Sequence, residues 1–354
     1  MSKAAELAAL IGSQTALSNR NLIINGAMVV NQRGNSTGKT GSGYYACDRF
    51  RLLINSLGTW SIAQNTSAPD GFAYSQRYDC TTADASPAAG DYMIVETRLE
   101  GQNLQRLDWG TSSAKKITLS FWVKSNKTGT YIAELSHAGA TLPYNSLQYT
   151  IDSANTWEYK TLTFSGDTSD STVNSNAVGL YVNWWIGSGT TFTSGTYNAD
   201  TWHTTSGNRA AGLNVNMADS TDNDWSITGV QLEIGEQANP FEHESYAETL
   251  LKCQRYYYPA ENYNIYAGWA MTWGGSTSYP KVNADFPVAM RADPTITYAN
   301  SNTGTANQIE WSDSSTTGAS AWGVGVHGLY YVYTTSSMSA NISGQFRYTA
   351  DAEL

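Results

Sequence analysis

The chain has 354 residues, room for two domains that each bury a core of their own. Charged residues make up 14% and aromatics 12%, a turn-rich and β-rich balance, and Lys plus Arg minus Asp plus Glu is 20 − 30 = −10. No basic stripe interrupts that negative field, so nucleic acid and anionic membrane surfaces are poor matches as partners, and no apolar run reaches the ~18 to 20 residues of a membrane span.

SKAAELAALIG at the start reads as a helix over residues 3–11, with Leu7, Leu10 and Ile11 on one side and a stop at Gly12. A helix that short is marginal alone and needs a partner or copies of itself. Residues 1–20 are therefore expected to be a terminal segment ordered by whatever it attaches to.

From Asn21 the texture is β. RFRLLI, WSIAQN, AYSQRYDC, YMIVETRLEG and TYIAELSH are strand candidates punctuated by turns. ITLSFWVKS alternates Ile117, Leu119, Phe121 and Val123 with Thr118, Ser120, Trp122 and Lys124, the period of a strand with one buried face. TWEYKTLTFSGD and GLYVNWWIGSG repeat the pattern. WSITGVQLEIG gives a last strand with an irregularity at Gly229, and Asn239-Pro240 then turns the chain. The series predicts an antiparallel β-sandwich over 21–242. Residues 243–258 form a linking element whose stretch from Glu244 to Cys253 suits a short helix, and a second β domain is expected over 259–354. Composition supports that division, because residues 255–354 hold 17 of the 43 aromatics and only four basic residues against seven acidic. There FPVAMRADPTITY reads as a strand bounded by prolines, with VGVHGLYYVYTT and ISGQFRYTA as late strands.

Four pieces carry a resemblance: NLIINGAMVVNQRG, ITLSFWVKSNKTGTY, ITGVQLEIGEQANPFEHESYAETLLKCQRYY and FPVAMRADPTIT. Together they resemble tail fibres and other minor tail proteins of tailed bacteriophages, across most of residues 21–300, and the middle domain is similar to the jelly-roll modules of carbohydrate-binding proteins. The resemblance implies a mainly β chain, an antiparallel jelly-roll sandwich followed by a smaller C-terminal β-sandwich. It also implies a homotrimer in the virion tail, assembled in the host cytoplasm and held by its N-terminus to a tail or baseplate protein. Its C-terminal residues, 256–354, would touch the host.

Motifs for chemistry are sparse. GNSTGKT at 34–40 misses a phosphate loop by one residue, since Arg33 stands where the first Gly belongs. His243-Glu244 lacks the second His of a zinc-protease helix, Cys47, Cys80 and Cys253 are too widely spaced for a zinc or disulfide framework, and the four histidines are scattered. No metal or cofactor is expected, though DTSDSTVNSN at 167–176 is oxygen-rich enough to suggest a structural calcium. Glu96, Glu100, Glu134 and Glu158 are the acids on or beside candidate strands from which a polysaccharide hydrolase could draw a pair. The stronger signal is aromatic. Alternation sends Trp184 and Trp185 to opposite faces, one into the core and the other outward or under a loop, and Trp202 and His203 lie in a polar loop. Trp269, Trp273 and Tyr279 surround a Gly-rich stretch of the second domain. Trp185, Trp202, His203, Trp269, Trp273 and Tyr279 are the candidate glycan-binding residues. The expected function is host adhesion by a fibre recognising a surface glycan without catalysis, the alternatives being a tailspike-like depolymerase or a structural adaptor.

Overall fold

A computed structural model describes residues 19–265, 270–272, 278–311, 316–334 and 344–354. The expected helix with Leu7, Leu10 and Ile11 lies outside the described residues, as do Trp269 and Trp273. The protein is mainly β and forms two compact units, one reaching to Tyr246 and one spanning 247–353.

Twelve strands build the first unit: β1 (Ser36–Lys39), β2 (Gly43–Tyr44), β3 (Arg51–Asn55), β4 (Thr59–Asn65), β5 (Ser75–Thr82), β6 (Tyr92–Glu100), β7 (Ile117–Ser125), β8 (Gly129–His137), β9 (Tyr144–Ile151), β10 (Glu158–Phe164), β11 (Val178–Ser188) and β12 (Asp224–Ile234). They form two six-stranded sheets, ordered β1-β4-β5-β12-β7-β10 and β2-β3-β6-β11-β8-β9. Strands β5 to β12 alone give β5-β12-β7-β10 facing β6-β11-β8-β9, which is the double Greek-key winding of a jelly roll. All the ladders between these strands are antiparallel.

Alternation fixes the core. Ile117, Leu119, Phe121 and Val123 point inward from β7, as the sequence predicts, and meet Val95, Leu180, Val182 and Trp184 from the other sheet. Phe121 and Trp184 cross the interior edge to face at 5.7 Å. Each such side chain, fully removed from water, contributes about 1.5–3 kcal/mol. Cys47, Cys80 and Cys253 are buried free thiols. Residues 36–39 of the GNSTGKT stretch form β1, an edge strand rather than a phosphate loop.

The irregularity at Gly229 is a bulge in β12 with φ +60. Up to Ile227 the strand pairs with β5, and beyond the bulge the incoming chain takes over that edge. Leu22 N donates to Leu232 O at 2.9 Å and Val230 N to Gly26 O at 3.0 Å. The Asn21 side chain bridges the same ladder, donating to Val230 O at 3.1 Å and accepting from Leu232 N at 3.0 Å. Gly26 is required there, because a Cβ would stand 2.0 Å from Val230 O. The outgoing chain is pinned to the outside of the same strand. Asn239 donates its backbone and side-chain N–H groups to the two oxygens of Glu233 at 2.7 Å each, and Glu242 N donates to Gln231 Oε1 at 2.8 Å. Glu242 Oε2 then accepts from Asn21 N at 2.8 Å.

In the second unit a helix (Tyr246–Gln254) precedes β13 (Tyr257–Ile265), β14 (Ala270–Thr272), β15 (Ser278–Asp285), β16 (Thr295–Asn300), β17 (Gln308–Trp311), β18 (Thr316–Gly325), β19 (Gly328–Thr334) and β20 (Gly344–Asp351). β18 pairs with β17 through residues 316–318 and with β19 through 319–325, handing the sheet from one half to the other. Ala284 and Leu329 of one half share a core with Ile309, Phe346 and Tyr348 of the other. The strand expected over FPVAMRADPTITY is confined to Thr295–Asn300. Pro287 and Pro294 remove ladder donors, and the segment before β16 is instead held by Phe286 N to His327 O at 2.9 Å and Met290 N to Val326 O at 2.7 Å.

Candidate functional site

The outward residues of the second sheet form three rows across its strands, set by register. One row is apolar: Leu53, Ile94, Trp185 and Ile132 stand side by side on β3, β6, β11 and β8. The chain between β11 and β12 folds over it. A single helical turn, Thr190–Thr193, brings Phe192 to 5.2 Å from the Trp185 ring, and Ala210 and Leu213 close the patch. Trp185 is thus buried under a loop, with 0% exposure, and offers no face for stacking.

The next row is polar and also buried: Glu96, Asn183, Glu134 and Ser146, flanked by Arg51 at the β3 end. Glu96 Oε1 accepts from Arg51 Nη1 at 3.1 Å and Arg98 Nε at 2.7 Å. Glu134 receives Arg209 in a two-pronged pair, Nε to Oε2 at 2.9 Å and Nη2 to Oε1 at 2.8 Å, and Oε1 also accepts from Asn183 Nδ2 at 2.9 Å. Arg209 belongs to the covering loop, and its backbone carbonyl accepts from Ser146 Oγ at 2.8 Å. One arginine therefore clamps the loop to the sheet. Asn183 Oδ1 is buried without a hydrogen-bond partner.

The third row, Arg98, Tyr181, Ser136 and Tyr144, lies past the margin of the loop, and its two tyrosines are half-buried. Arg98 sits 5.1 Å from the Tyr181 ring centre, and Arg209 covers Tyr144 at 4.1 Å. His203 joins this margin through a two-bond ladder with Tyr144, at 2.7 and 2.9 Å. Burial lowers the His203 pKa below its ordinary value, Glu134 opposing and Arg209 reinforcing the shift. The site thus offers two half-buried rings at the edge of a buried layer of carboxylate, amide and guanidinium groups that fixes the loop.

Trp202 lies elsewhere. Its indole N–H donates to Ser165 O at 2.9 Å and its ring packs 5.3 Å from Trp109, so it caps the end of the sandwich. Its neighbour there is His137, buried between Asp167 Oδ2 and Thr172 Oγ1 at 2.8 Å each. This corner consumes the oxygen-rich loop. Asp167 Oδ1 accepts from Ser169 N at 2.8 Å and Asp170 N at 3.2 Å, and Asp170 Oδ2 from Thr141 N at 2.9 Å and Thr141 Oγ1 at 3.0 Å. Among the described residues no cluster of three metal-ligating side chains occurs. Tyr279 lies on β15, opposite Met271, with its side chain outside the description. Of the residues singled out by sequence only His203 reaches the sheet's open margin. Glu134 was singled out only as one of four candidate acids; Tyr144, Tyr181, Asn183 and Arg209 were missed, and only the alternation of β11 carried a signal for two of them.

No family model matches the chain and no curated protein matches it. Among solved structures it is similar to the enzymatically active domain of tailspike protein 4 of bacteriophage CBA120, with 13% identity over 61% of this chain and 22% of that one, TM-score 0.34. It is also similar to the C-terminal family 22 carbohydrate-binding module of Clostridium thermocellum Xyn10B, with 10% identity over 59% of this chain and all of that one, TM-score 0.31. TmCBM61, solved with β-1,4-galactotriose, gives 10% identity over 61% of this chain and all of that one, TM-score 0.31. The chain spans under a quarter of the tailspike protein's matched chain.

Proposed function

We propose that the protein is a tail fibre of a bacteriophage virion that binds a host surface glycan at the open margin of the second sheet and does not cleave it. The observation that carries this reading is the half-buried pair of rings, Tyr144 and Tyr181, in one row at the margin of the sheet, held by Arg209 and Arg98 respectively. Sugar rings present apolar faces and hydroxyl edges, and such a surface answers both. The Arg209 charge is already matched by Glu134, which favours a neutral ligand over an acidic one. In this reading the chain works as a homotrimer in the virion tail after assembly in the host cytoplasm, attached to a tail or baseplate protein through residues 1–20. Repetition of weak sites then gives firm adhesion. A monomeric mass for the intact chain in light scattering would contradict the trimer.

Calorimetric titration of the full chain with host surface polysaccharide tests the site. Tyr181→Ala and Tyr144→Ala should each weaken binding about tenfold, or ~1.4 kcal/mol. Unchanged affinity in both would remove the site. Binding is favoured over hydrolysis by the state of the two acids. Glu96 and Glu134 flank Asn183 on alternate strands, about two strand spacings or ~9.6 Å apart along the sheet. That is near the upper limit for an inverting pair, but both carboxylates are buried and held by arginine, out of reach of a sugar on the surface. A reducing-end assay on the same polysaccharide should therefore show no release.

A further inference from the structure

The opposite sheet carries a second aromatic surface. Trp122 on β7 and Tyr159 on β10 are cross-strand partners on its outer face, with ring centres 5.3 Å apart and Tyr159 44% exposed. On the far side of Trp122 the neighbouring strand is β12, at its bulge. Gly229 there has no side chain to intervene, and a Cβ would stand 2.7 Å from the Phe72 ring and 2.9 Å from the Trp122 ring. Phe72 continues to Phe241 at 5.0 Å and His243 at 5.3 Å. Phe241 and His243 also touch each other at 4.9 Å, so the Trp122–Tyr159 pair on β7 and β10 stands beside a cluster of three rings across the bulge of β12.

We propose that this strip is a second glycan-binding platform, taking an extended neutral oligosaccharide laid across the strands. Its width argues for that occupant. On β7 and β10 the strip is one ring wide, edged on one side by Ser120 and Thr161, the next pair in the ladder, and on the other by Lys124, which donates to Ser67 Oγ at 2.7 Å and lies 5.3 Å from the Trp157 ring. A stable protein partner buries about 800 Å² per side around a broad apolar centre, which a cross-strand ring pair between polar borders does not supply. A sugar chain is itself narrow, with ring faces for the aromatics and hydroxyls for the borders. Charge argues for neutrality, since Glu158, the sequence neighbour of Tyr159, is paired with Lys160 at 2.6 Å. The platform stands on different residues from the Tyr144 and Tyr181 margin and on the other sheet. One copy of the sandwich would then grip two glycan segments from opposite faces, raising avidity without oligomerisation.

The full chain is applied to an array of neutral oligosaccharides, and the polysaccharide containing the best ligand is cast into native gels. Trp122→Ala and Tyr159→Ala should each reduce retardation at least fivefold while leaving the melting temperature of the solvent-facing Tyr159 variant unchanged. Combining Tyr159→Ala with Tyr181→Ala should abolish retardation. Retardation unaffected by both strip variants overturns the platform, whatever Tyr181→Ala does, and so does an array without any neutral ligand. A fall in oligomer mass in Tyr159→Ala, with retardation intact, would assign the strip to contact between copies instead.

Discussion

His203 is held by backbone bonds to Tyr144 within the covering loop, close to Arg209, and its pKa lies below that of the unfolded chain, first through burial. Above about pH 6.5 it is neutral in both states and its contribution to stability is complete. As pH falls, the unfolded loop takes up the proton first, so that contribution is lost as pH drops through the folded value. Hydrogen-exchange protection factors of residues 196–213, corrected for the intrinsic rate at each pH, should fall between pH 7.5 and 5.5, and His203→Gln should flatten the response. An equal response in that variant would place the titration elsewhere. His203 could be singled out from its polar loop by sequence alone. The clamp beside it could not, because Glu134 and Arg209 lie 75 positions apart and neither sits in a motif. Trp185 shows the limit of alternation, which put it and Trp184 on opposite faces but decided neither which of them enters the core nor whether the other stays open or lies under a loop.

Strands were legible where one face alone is apolar, as on β7, whose bounds agree with the alternation read from ITLSFWVKS. β9 escaped notice because YNSLQYTI places Tyr144 outward and Tyr149 inward, blurring its period. The order of strands was not legible from local pattern, since β12 lies between β5 and β7, partners more than a hundred residues away. At Gly229 a single position serves both the bulge and the aromatic surface. Gly229→Ala would hold a side chain at φ +60 and press it into Phe72. The conformational cost of about 1–2 kcal/mol and the overpacking cost of about 1–3 kcal/mol should together lower unfolding free energy by roughly 2–5 kcal/mol. Urea denaturation checks this, and a loss below ~1 kcal/mol would mean that Phe72 moves aside freely.

The first unit is closed by its own two ends. The two segments that carry much of the family resemblance, NLIINGAMVVNQRG and ITGVQLEIGEQANPFEHE, are neighbours in space because they form the incoming and outgoing arms of the sandwich, joined at Asn21 and Glu242 across 221 positions by a 2.8 Å bond. In the language of genetic exchange, the jelly roll is a cassette. Because the arms already touch, the whole sandwich can be lifted out, or exchanged for one with another specificity, while the thread on either side keeps its path. A pull along that thread loads the few bonds at the neck before it reaches the core. Residues 20–243 spliced into a surface turn of an unrelated carrier should therefore fold there and leave the carrier's own melting temperature within ~2 °C, whereas the same graft with Asn21→Ala and Glu242→Ala should strain or unfold its host.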